Sequence, residues 1–286
     1  MAQRPAQPSL RTSKSTPTCR IRCFNSFCSR PSRGWGRSVL SLPICNICNS
    51  PVTSVLVSKD GCDVYQCAKC GLAFTYPQPQ SLDEQYDSSY FDLYRKRRDF
   101  RLKRAHARLC RIEKLHKPGR LLDIGCSLGY FVEAANARGW KAAGIEISSY
   151  AAEEARKLGL DVRTGVLEDA GYSSGAFDCV TMWDVLEHVP DPTAHLLEVR
   201  RVLADDGLVV IGTPNLGHVA FRIKRERWRH LKPREHIYYF QKSSITRLLA
   251  KAGFRIVKPP GWNVRLNDVM TVYGMPDGLE VLSNRS

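Results

Sequence analysis

The sequence predicts an α/β protein with a doubly wound, mainly parallel sheet of seven strands, preceded by a small cysteine-rich module. Three observations lead to this prediction. Apolar segments of strand length alternate with amphipathic segments of helix length from about residue 120 to residue 275, the pattern of a parallel sheet covered by helices on both faces. A glycine-containing turn follows the first of these strands. Two Cys-x-x-Cys pairs stand upstream of it.

The first strand of the sheet is the apolar segment 121–124, and a helical pattern over 130–138 follows it at once. Between them, Gly125 and Gly129 allow a tight turn through which the backbone approaches a ligand. The helix directs its free N–H groups and its positive dipole end to the same place, which is typical of a nucleotide-binding turn. Taken alone, the two glycines are equally typical of an ordinary strand-to-helix turn.

The second strand, residues 140–147, carries a carboxylate near its end. Glu146 lies 21 residues after Gly125 (146 − 125). In a doubly wound sheet this spacing places the acid at the tip of the neighbouring strand, where it accepts hydrogen bonds from ribose hydroxyls. Ser148 or Ser149 is predicted to cap the next helix, which ends at Gly159.

These residues resemble the first motif of the class I S-adenosylmethionine-dependent methyltransferases. That motif reads D-x-G-x-G-x-G, and the chain matches it with Asp123, Gly125 and Gly129 and has Ser127 at the middle glycine. A dinucleotide dehydrogenase requires G-x-G-x-x-G, which this turn lacks. The resemblance covers residues 90–275. It implies a Rossmann-like fold, S-adenosylmethionine as cofactor and methyl transfer as the activity.

The resemblance also implies contacts to the adenine ring. Residues 165–178 are similar to the family's third motif, in which the acid that reads the adenine amino group falls on Val166, with Leu167 beside it. Glu168 and Asp169 are close enough in sequence to substitute for that acid. The alternative is that both are solvated loop acids.

The fourth strand, residues 177–183, ends with Met182 and Trp183, which we expect beside the cofactor. Residues 184–189 are closely similar to the segment that follows this strand in the sugar, ubiquinone-precursor and small-molecule methyltransferases of the class. The remaining elements follow from capping residues and apolar runs: ribbon strands over 52–59 and 62–66, a helix opened by Asp191 and Pro192, a fifth strand over 207–213, a helix capped by Ser243 and ended by Gly253, and further strands over 254–258 and 268–275.

Four cysteines form the second strong motif. Cys45-x2-Cys48 is followed after eighteen residues by Cys67-x2-Cys70, a spacing typical of two knuckles that hold one Zn²⁺ ion. Four thiolates leave no open coordination position, so the metal would be structural. Two disulfides, or four unlinked thiols, are the alternatives. A chain with 11 cysteines, a cofactor-binding pattern and no secretory signal is expected in the cytoplasm, which favours zinc.

Residues 1–40 differ in composition from the rest of the chain. They contain eight Lys or Arg, no Asp or Glu, and no apolar run of signal-peptide or membrane length. Such a segment cannot bury a core and is expected to be disordered. Its composition is typical of a transit peptide, but three cysteines favour a start codon assigned too far upstream.

The net charge of +15 suggests nucleic acid as a partner. Without the eight charges of residues 1–40 it is +7 (15 − 8), which is ordinary for a basic enzyme. Residues 95–120 carry twelve Lys or Arg, but apolar residues recur among them at helical spacing. This predicts a basic amphipathic connector helix with a solvated charged face. Contact with an RNA backbone is the alternative, and no aromatic residues interleave with the charges to favour it.

A second basic segment, residues 215–240, follows the fifth strand and contains five aromatic residues. Because ligands bind beyond the carboxyl ends of parallel strands, this segment is predicted to roof the substrate site. Arginine would bind phosphate while aromatic rings pack on a sugar or base, so an anionic acceptor is favoured. A solvated basic loop is the alternative.

The sulfonium methyl group is already activated, so the enzyme must mainly hold an acceptor atom in line with it and exclude water. A hydroxyl or an acidic carbon also requires a base, and His188 and His236 are the candidates. A lone histidine is more often structural.

The sequence therefore predicts an S-adenosylmethionine-dependent methyltransferase that acts on a small, anionic, glycan-related or nucleotide-linked acceptor. An RNA methyltransferase, or a non-catalytic RNA-binding protein that retains the cofactor fold, is the alternative. The sequence shows no membrane span and carries no signal of oligomeric state.

Overall fold

The strand and helix alternation of the sequence folds into a seven-stranded sheet with helices on both sides. The computed structural model describes residues 42–79, 88–259 and 268–278. The basic extension, residues 1–40, which is predicted to be disordered, lies outside the described residues. Within the described ranges, no helix combines the length and the hydropathy that crossing a bilayer requires.

The elements are numbered in chain order. The strands are β1 (Val55–Lys59), β2 (Cys62–Gln66), β3 (Ala73–Tyr76), β4 (Arg120–Ile124), β5 (Lys141–Glu146), β6 (Asp161–Thr164), β7 (Phe177–Trp183), β8 (Leu203–Pro214), β9 (Tyr238–Tyr239), β10 (Phe254–Val257) and β11 (Val269–Pro276). The helices are α1 (Ser88–Lys96), α2 (Arg98–Ile112), α3 (Tyr130–Asn136), α4 (Ser149–Lys157), α5 (Pro192–Val202), α6 (Val219–Lys224) and α7 (Lys242–Lys251).

The large sheet has the strand order β10-β11-β8-β7-β4-β5-β6. Strands β4 to β8 pair in parallel, and β11 pairs antiparallel with both β8 and β10. Leu121 and Leu122 are neighbours in β4 and point to opposite faces, yet both are fully buried. Burial on both faces is the property of a parallel sheet covered by helices. The predicted mainly parallel, seven-stranded fold is confirmed.

The strand order reverses beside β4. From β4 the chain proceeds outward through β5 and β6, and then returns to place β7 against the other side of β4. In open α/β sheets a ligand crevice lies beyond the carboxyl ends of the strands at such a reversal. The turns that follow β4, β5 and β7 therefore meet at one edge of the sheet.

A smaller sheet joins the two cysteine pairs to the segment that follows β8. Its order is β1-β2-β3-β9, so three strands come from the cysteine module and the fourth comes from the predicted roof. Phe74 of β3 pairs with Tyr238 of β9. Cys67, Leu72 and Phe74 share one hydrophobic core with α5, α7 and β7. The cysteine module is therefore packed into the same core as the large sheet.

The predicted cap of α7 is wrong by two residues. The helix begins at Lys242 with Gln241 as its N-cap, and the backbone N–H of Gln241 donates to Oγ of Ser244 (3.0 Å). The hydroxyl of Ser243 instead donates to the carbonyl of Cys70 (3.2 Å). Ser243, which local capping rules assign to the start of the helix, thus forms a tertiary hydrogen bond to the cysteine module instead.

Other boundaries move for related reasons. Strand β8 begins at Leu203 instead of residue 207, because buried Leu203 pairs with Phe177 of β7 ahead of a register shift. Strand β1 begins at Val55 instead of Val52, which is buried in the core. The predicted caps at Ser148 and Asp191 are confirmed by their side-chain bonds to backbone N–H groups.

Candidate functional site

The turn after β4 has the backbone that the sequence motif predicts. Gly125, Ser127 and Gly129 all have left-handed φ angles, of 68°, 52° and 78°. Ser127 therefore holds a conformation that normally favours glycine and that costs other residues roughly 1–2 kcal/mol. A Cβ atom on Gly125 would lie 2.5 Å from Cγ2 of Val185. Only glycine allows the turn after β7 to pack this closely against the turn after β4.

Glu146, at the end of β5, holds this turn in place. One carboxylate oxygen accepts a hydrogen bond from the N–H of Ser127 (2.7 Å), and the other accepts one from the N–H of Ser148 (2.9 Å). Burial raises the pKa of Glu146, and these backbone bonds oppose the rise. The acid that the sequence assigns to a ribose contact thus lies directly beside the glycine turn.

Asp123 lies one layer deeper, at the centre of the sheet. Its carboxylate accepts a hydrogen bond of 2.6 Å from the hydroxyl of Thr181 on β7. Burial raises its pKa to about 7, while that bond and the positive charge of Arg108 lower it. A buried carboxylate therefore links β4 to β7 directly below the crevice.

The raised pKa of Asp123 makes stability depend on pH. The folded state holds this proton more tightly than the unfolded state, so the contribution is complete below about pH 4 and is lost as pH rises to about 7. In Asp123→Asn, the decrease in the free energy of unfolding between pH 4 and pH 8 is expected to be smaller by at least about 1.4 kcal/mol, the equivalent of one pKa unit. Urea denaturation at several pH values in this range measures the free energy of unfolding. Parallel curves for wild type and variant would contradict the prediction.

The predicted adenine contacts divide between the core and a side-chain pair. Leu167 and Met182 are buried in the main hydrophobic core. Glu168 accepts a hydrogen bond of 2.7 Å from the Nδ1 atom of His195 on α5, and this bond lowers its pKa against the effect of burial. Trp183 is half-buried and packs on the ring of Phe131, with 5.4 Å between the ring centroids.

Three arginines of α2 contact other side chains of the protein, although the sequence assigns the basic face to solvent. Arg98 forms an ion pair with Glu133 of α3. Arg101 lies over the ring of Tyr94 at 3.4 Å, and Arg108 lies over the ring of Trp183 at 3.7 Å. Positions 101 and 108 are two helical turns apart and share a face, which is the signal that was available in the sequence.

Arg108 is the residue of this group that reaches the crevice. Burial lowers its pKa to about 10, as does the nearby charge of Arg104, while Asp184 and Asp123 raise it. A cation therefore lies between the end of β7 and the end of β4. The predicted apolar face of the helix is confirmed by the burial of Ala105, Leu109 and Ile112.

The two predicted histidines meet beyond the end of β7. The rings of His188 and His236 lie edge to face, with 4.7 Å between their centroids. The N–H of Ile237 donates to the carbonyl of Glu187 (2.9 Å), which fixes the roof segment to the turn after β7. Burial lowers the pKa of His188 and lowers that of His236 to about 2. Both rings are therefore neutral near pH 7.

Glu187 is a member of this cluster that the sequence interpretation missed. It is 1% exposed, and one carboxylate oxygen accepts a hydrogen bond from the hydroxyl of Thr213 (3.0 Å). Burial raises its pKa well above the usual range, and the charge of Asp184 adds to the rise. A glutamate in a short turn normally indicates a solvated position, so only the adjacent His188 hinted at a site.

The aromatic residues of the predicted roof are all buried, but they pack on the cysteine module. Trp228 contacts Phe221, with 5.5 Å between the ring centroids, and shares a small core with Val57 and Val64. The basic side chains of the same segment remain exposed. The segment therefore presents charge at its surface and uses its rings to attach itself to β1–β3.

The four predicted ligand cysteines lie together. Cys45 and Cys70 have their Sγ atoms 3.4 Å apart, Cys48 and Cys67 have theirs 3.5 Å apart, and all four lie within 4.8 Å of one another. A disulfide requires about 2.05 Å, so the disulfide alternative is contradicted for these four. Zinc with bonds of about 2.3 Å to sulfur places tetrahedral ligands about 3.8 Å apart. The four thiols fit that ion.

The backbone around the cysteines supports the same ligand set. Each pair closes a matching turn, with the N–H of Asn49 donating to Cys45 and the N–H of Gly71 donating to Cys67 (2.9 and 2.8 Å). Burial raises the pKa of Cys45 and Cys70, whereas hydrogen bonds with Ser50 and the neighbouring thiols lower that of Cys48 to about 6 against the effect of burial. The matching turns and the short Sγ–Sγ distances therefore carry the assignment of the four ligands.

Comparison with known proteins identifies the family of the domain that contains the large sheet. Residues 94–258 match a family of methyltransferase domains. A ubiquinone biosynthesis O-methyltransferase of Xanthomonas oryzae pv. oryzae (strain PXO99A) is 35% identical over 111 residues, 36% of this chain and 46% of that protein. The enzyme of the same name from Chromobacterium violaceum is 28% identical over 175 residues, 57% of this chain and 75% of that protein. The match thus spans about half the length of the first of these relatives.

A solved structure shares the fold. The crystal structure of a SAM dependent methyltransferase from Archaeoglobus fulgidus superposes with a TM-score of 0.50 at 17% identity, over 64% of this chain and 99% of that one. The family match covers more than half of the chain and includes the turn after β4, Glu146 and the turn after β7. The chain therefore belongs to the class I S-adenosylmethionine-dependent methyltransferases.

Proposed function

We propose that the protein transfers the methyl group of S-adenosylmethionine to a hydroxyl oxygen of a small, anionic, glycan-related or nucleotide-linked acceptor. The observation that carries the proposal is the direct packing of the glycine turn against the turn that bears Glu187 and His188, through Gly125 and Val185. Cofactor and acceptor would then bind on adjoining turns of one crevice. The relatives' name specifies O-methyl transfer, which supports an oxygen acceptor.

On the cofactor side, Glu146 would accept hydrogen bonds from the ribose hydroxyls while it keeps the turn closed through Ser127. The Ser127 hydroxyl is buried and has no hydrogen-bond partner in the described ranges, so it is available to a ligand in the turn. Gly125, Gly129 and Asp123 would shape the floor of this pocket, and Trp183 would form its wall. Leu167 and Glu168 would border the adenine, with Met182 packed beneath. S-adenosylmethionine supplies the activated methyl group when bound.

On the acceptor side, the neutral rings of His188 and His236 would receive the hydroxyl group. A neutral imidazole has one free electron pair, so it can accept the hydrogen of a hydroxyl or take its proton. The low pKa of His236 makes it the weaker proton acceptor of the two. Exposed Arg222, Lys224 and Arg227 make no ion pair among the described residues, which supports an anionic acceptor.

We also propose that Cys45, Cys48, Cys67 and Cys70 bind one Zn²⁺ ion, and that this ion is structural. A closed set of four thiolates has no position for a substrate. The cysteines lie in the hydrophobic core that the module shares with α5 and α7. The metal would therefore hold β1–β3 against the catalytic domain.

The acceptor side is tested with His236→Ala. Methyl transfer is expected to fall at least tenfold while S-adenosylmethionine affinity stays within twofold, because the ring lies beyond β7 and away from Glu146. The acceptor is first identified by mass spectrometry of cell extract incubated with the protein and methyl-labelled S-adenosylmethionine. His106→Ala, on the half-buried face of α2, is the matched control and should leave both quantities unchanged.

Two results would contradict this assignment. Full transfer by His236→Ala would move the acceptor site elsewhere. Methyl transfer to RNA, with binding that falls steeply as salt rises, would replace the small acceptor. Trp228→Ala would change folding as well as acceptor binding, because Trp228 is 1% exposed and its truncation costs about 3–5 kcal/mol of stability.

A further inference from the structure

We infer that Glu187, His188 and His236 bind one divalent transition-metal ion, and that an oxygen atom of the acceptor completes its coordination. One ligand atom from each of the three side chains lies within 4.8 Å of the other two. They come from two segments, the turn after β7 and the residue that precedes Ile237, which are joined by the backbone hydrogen bond to Glu187. The role of the acceptor oxygen rests on the proposed function, whereas the metal site does not.

Glu187 and His188 each have one polar atom anchored and one available. The Oε2 atom of Glu187 is bonded to Thr213, while Oε1 is buried and has no partner within the part of the chain that the structure describes. The Nδ1 atom of His188 lies 2.9 Å from the carbonyl of Glu235. A carbonyl only accepts, so the proton is on Nδ1 and the electron pair of Nε2 is free.

His236 offers a second ring nitrogen. Its Nδ1 atom is buried without a hydrogen-bond partner among the described residues. With the proton on Nε2, the electron pair of Nδ1 faces the cluster. Histidine ligands of metals characteristically donate their other N–H to a backbone carbonyl, as Nδ1 of His188 does to Glu235. His188 is thus in the tautomer that metal binding requires.

The cluster is not a hydrogen-bonded pair of Glu187 and His236. Such a pair would join Oε1 to Nδ1, yet neither atom has a hydrogen-bond partner in the described structure. A buried polar atom left unpaired costs about 1–3 kcal/mol, and more when it is charged. A cation between these atoms removes that cost for both. It also neutralises a carboxylate for which no lysine or arginine partner is described.

Two imidazole nitrogens and one carboxylate oxygen suit a first-row divalent ion such as Zn²⁺, Mn²⁺ or Fe²⁺, and three protein ligands leave positions open. The set of four cysteines differs in ligand type, since thiolates are softer ligands, and in having no open coordination position. An ion here would lower the pKa of a hydroxyl in contact with it. With the ion bound, the imidazole electron pairs are on the metal, so the hydroxyl proton would pass to solvent water and the metal would replace His188 and His236 as the activator of the hydroxyl. The oxygen would form the new bond to the methyl carbon, and the C–S bond would break with its electron pair going to sulfur.

The test is a titration of the full chain with Mn²⁺, followed by electron paramagnetic resonance, without cofactor or acceptor. Mn²⁺ favours nitrogen and oxygen ligands over thiolates, so the cysteines do not compete. We expect one bound ion per chain, and at least tenfold weaker binding in Glu187→Gln and in His236→Gln. His230→Ala removes a histidine that lies outside the three-residue cluster, and this variant should bind Mn²⁺ as the wild type does.

The wild type provides a second readout that needs no variant, because two imidazole ligands couple to bound Mn²⁺ and modulate its electron spin echo. No Mn²⁺ binding, no nitrogen coupling, or unchanged affinity in folded Glu187→Gln would each overturn the inference. Calorimetry with S-adenosylmethionine is run on the same samples. If metal binding fails while cofactor binding persists, only the metal site is lost and the proposed methyl transfer stands.

Discussion

Replacing Cys67 with serine is expected to remove zinc from the protein and to destabilise it by about 5 kcal/mol or more, a part of the roughly 10–16 kcal/mol with which structural zinc sites bind their metal. The reason is the position of the ligands, which are buried in the same core as Leu72 and Phe74 of the module and Ile245 of α7. Loss of the metal would leave three thiols without a shared partner, and two of them, Cys45 and Cys70, are buried.

The measurement combines elemental analysis with calorimetric melting, in which a loss of this size lowers the melting temperature by on the order of 10 °C. Cys62→Ser is the matched control, since Cys62 lies in β2 of the same module but outside the four-thiol cluster. A wild-type protein without zinc, or a Cys67→Ser variant with full zinc content, would contradict the four-thiolate site.

Glu146→Ala is expected to weaken S-adenosylmethionine and its demethylated product by about 2–4 kcal/mol, which is roughly 30-fold to several hundred-fold in affinity. The carboxylate would lose its bonds to the ribose and also its bonds to the N–H groups of Ser127 and Ser148. Calorimetry measures both ligands. Glu153→Ala, an exposed acid on α4, serves as the control.

A ligand without ribose hydroxyls separates the two contributions. If Glu146 acts mainly through the ribose, Glu146→Ala should lose much less affinity for a 2′,3′-dideoxy analogue of the product than for the product itself. If the variant loses the analogue as strongly as the parent ligand, Glu146 acts only by closing the turn. Equal binding of S-adenosylmethionine by wild type and Glu146→Ala would contradict the assigned cofactor site.

The geometry of the turn after β4, where we propose that the cofactor binds, was predictable because its signals are local. A buried strand, a glycine turn and a helix start lie within ten residues of Gly125, and the spacing to Glu146 follows from one β-α-β unit. The Ser148 and Asp191 caps depend on neighbours two or three positions away. Such local patterns predict structure even when the fold of the rest of the chain is unknown.

The acceptor side depends on contacts between distant segments, which composition and periodicity do not reveal. His188 and His236 are far apart in sequence and meet because Ile237 bonds to Glu187. Arg108 leaves solvent because Trp183 offers a ring face at the end of β7. The burial of Glu187 becomes clear only when Thr213 of β8 is placed beside it.

The pairing of β3 with β9 means that the cysteine module is not a detachable appendage. Thr75 of β3 donates its hydroxyl to the carbonyl of His236 (2.9 Å), and its N–H donates to the carbonyl of Ile237 (2.9 Å). The position of the His236 ring thus depends on β3, which lies about 160 residues earlier in the sequence (236 − 75 = 161). A chimera that borrows this module from another methyltransferase would inherit a different placement of His236. Exchange of the module would therefore shift a residue that we propose contacts the acceptor.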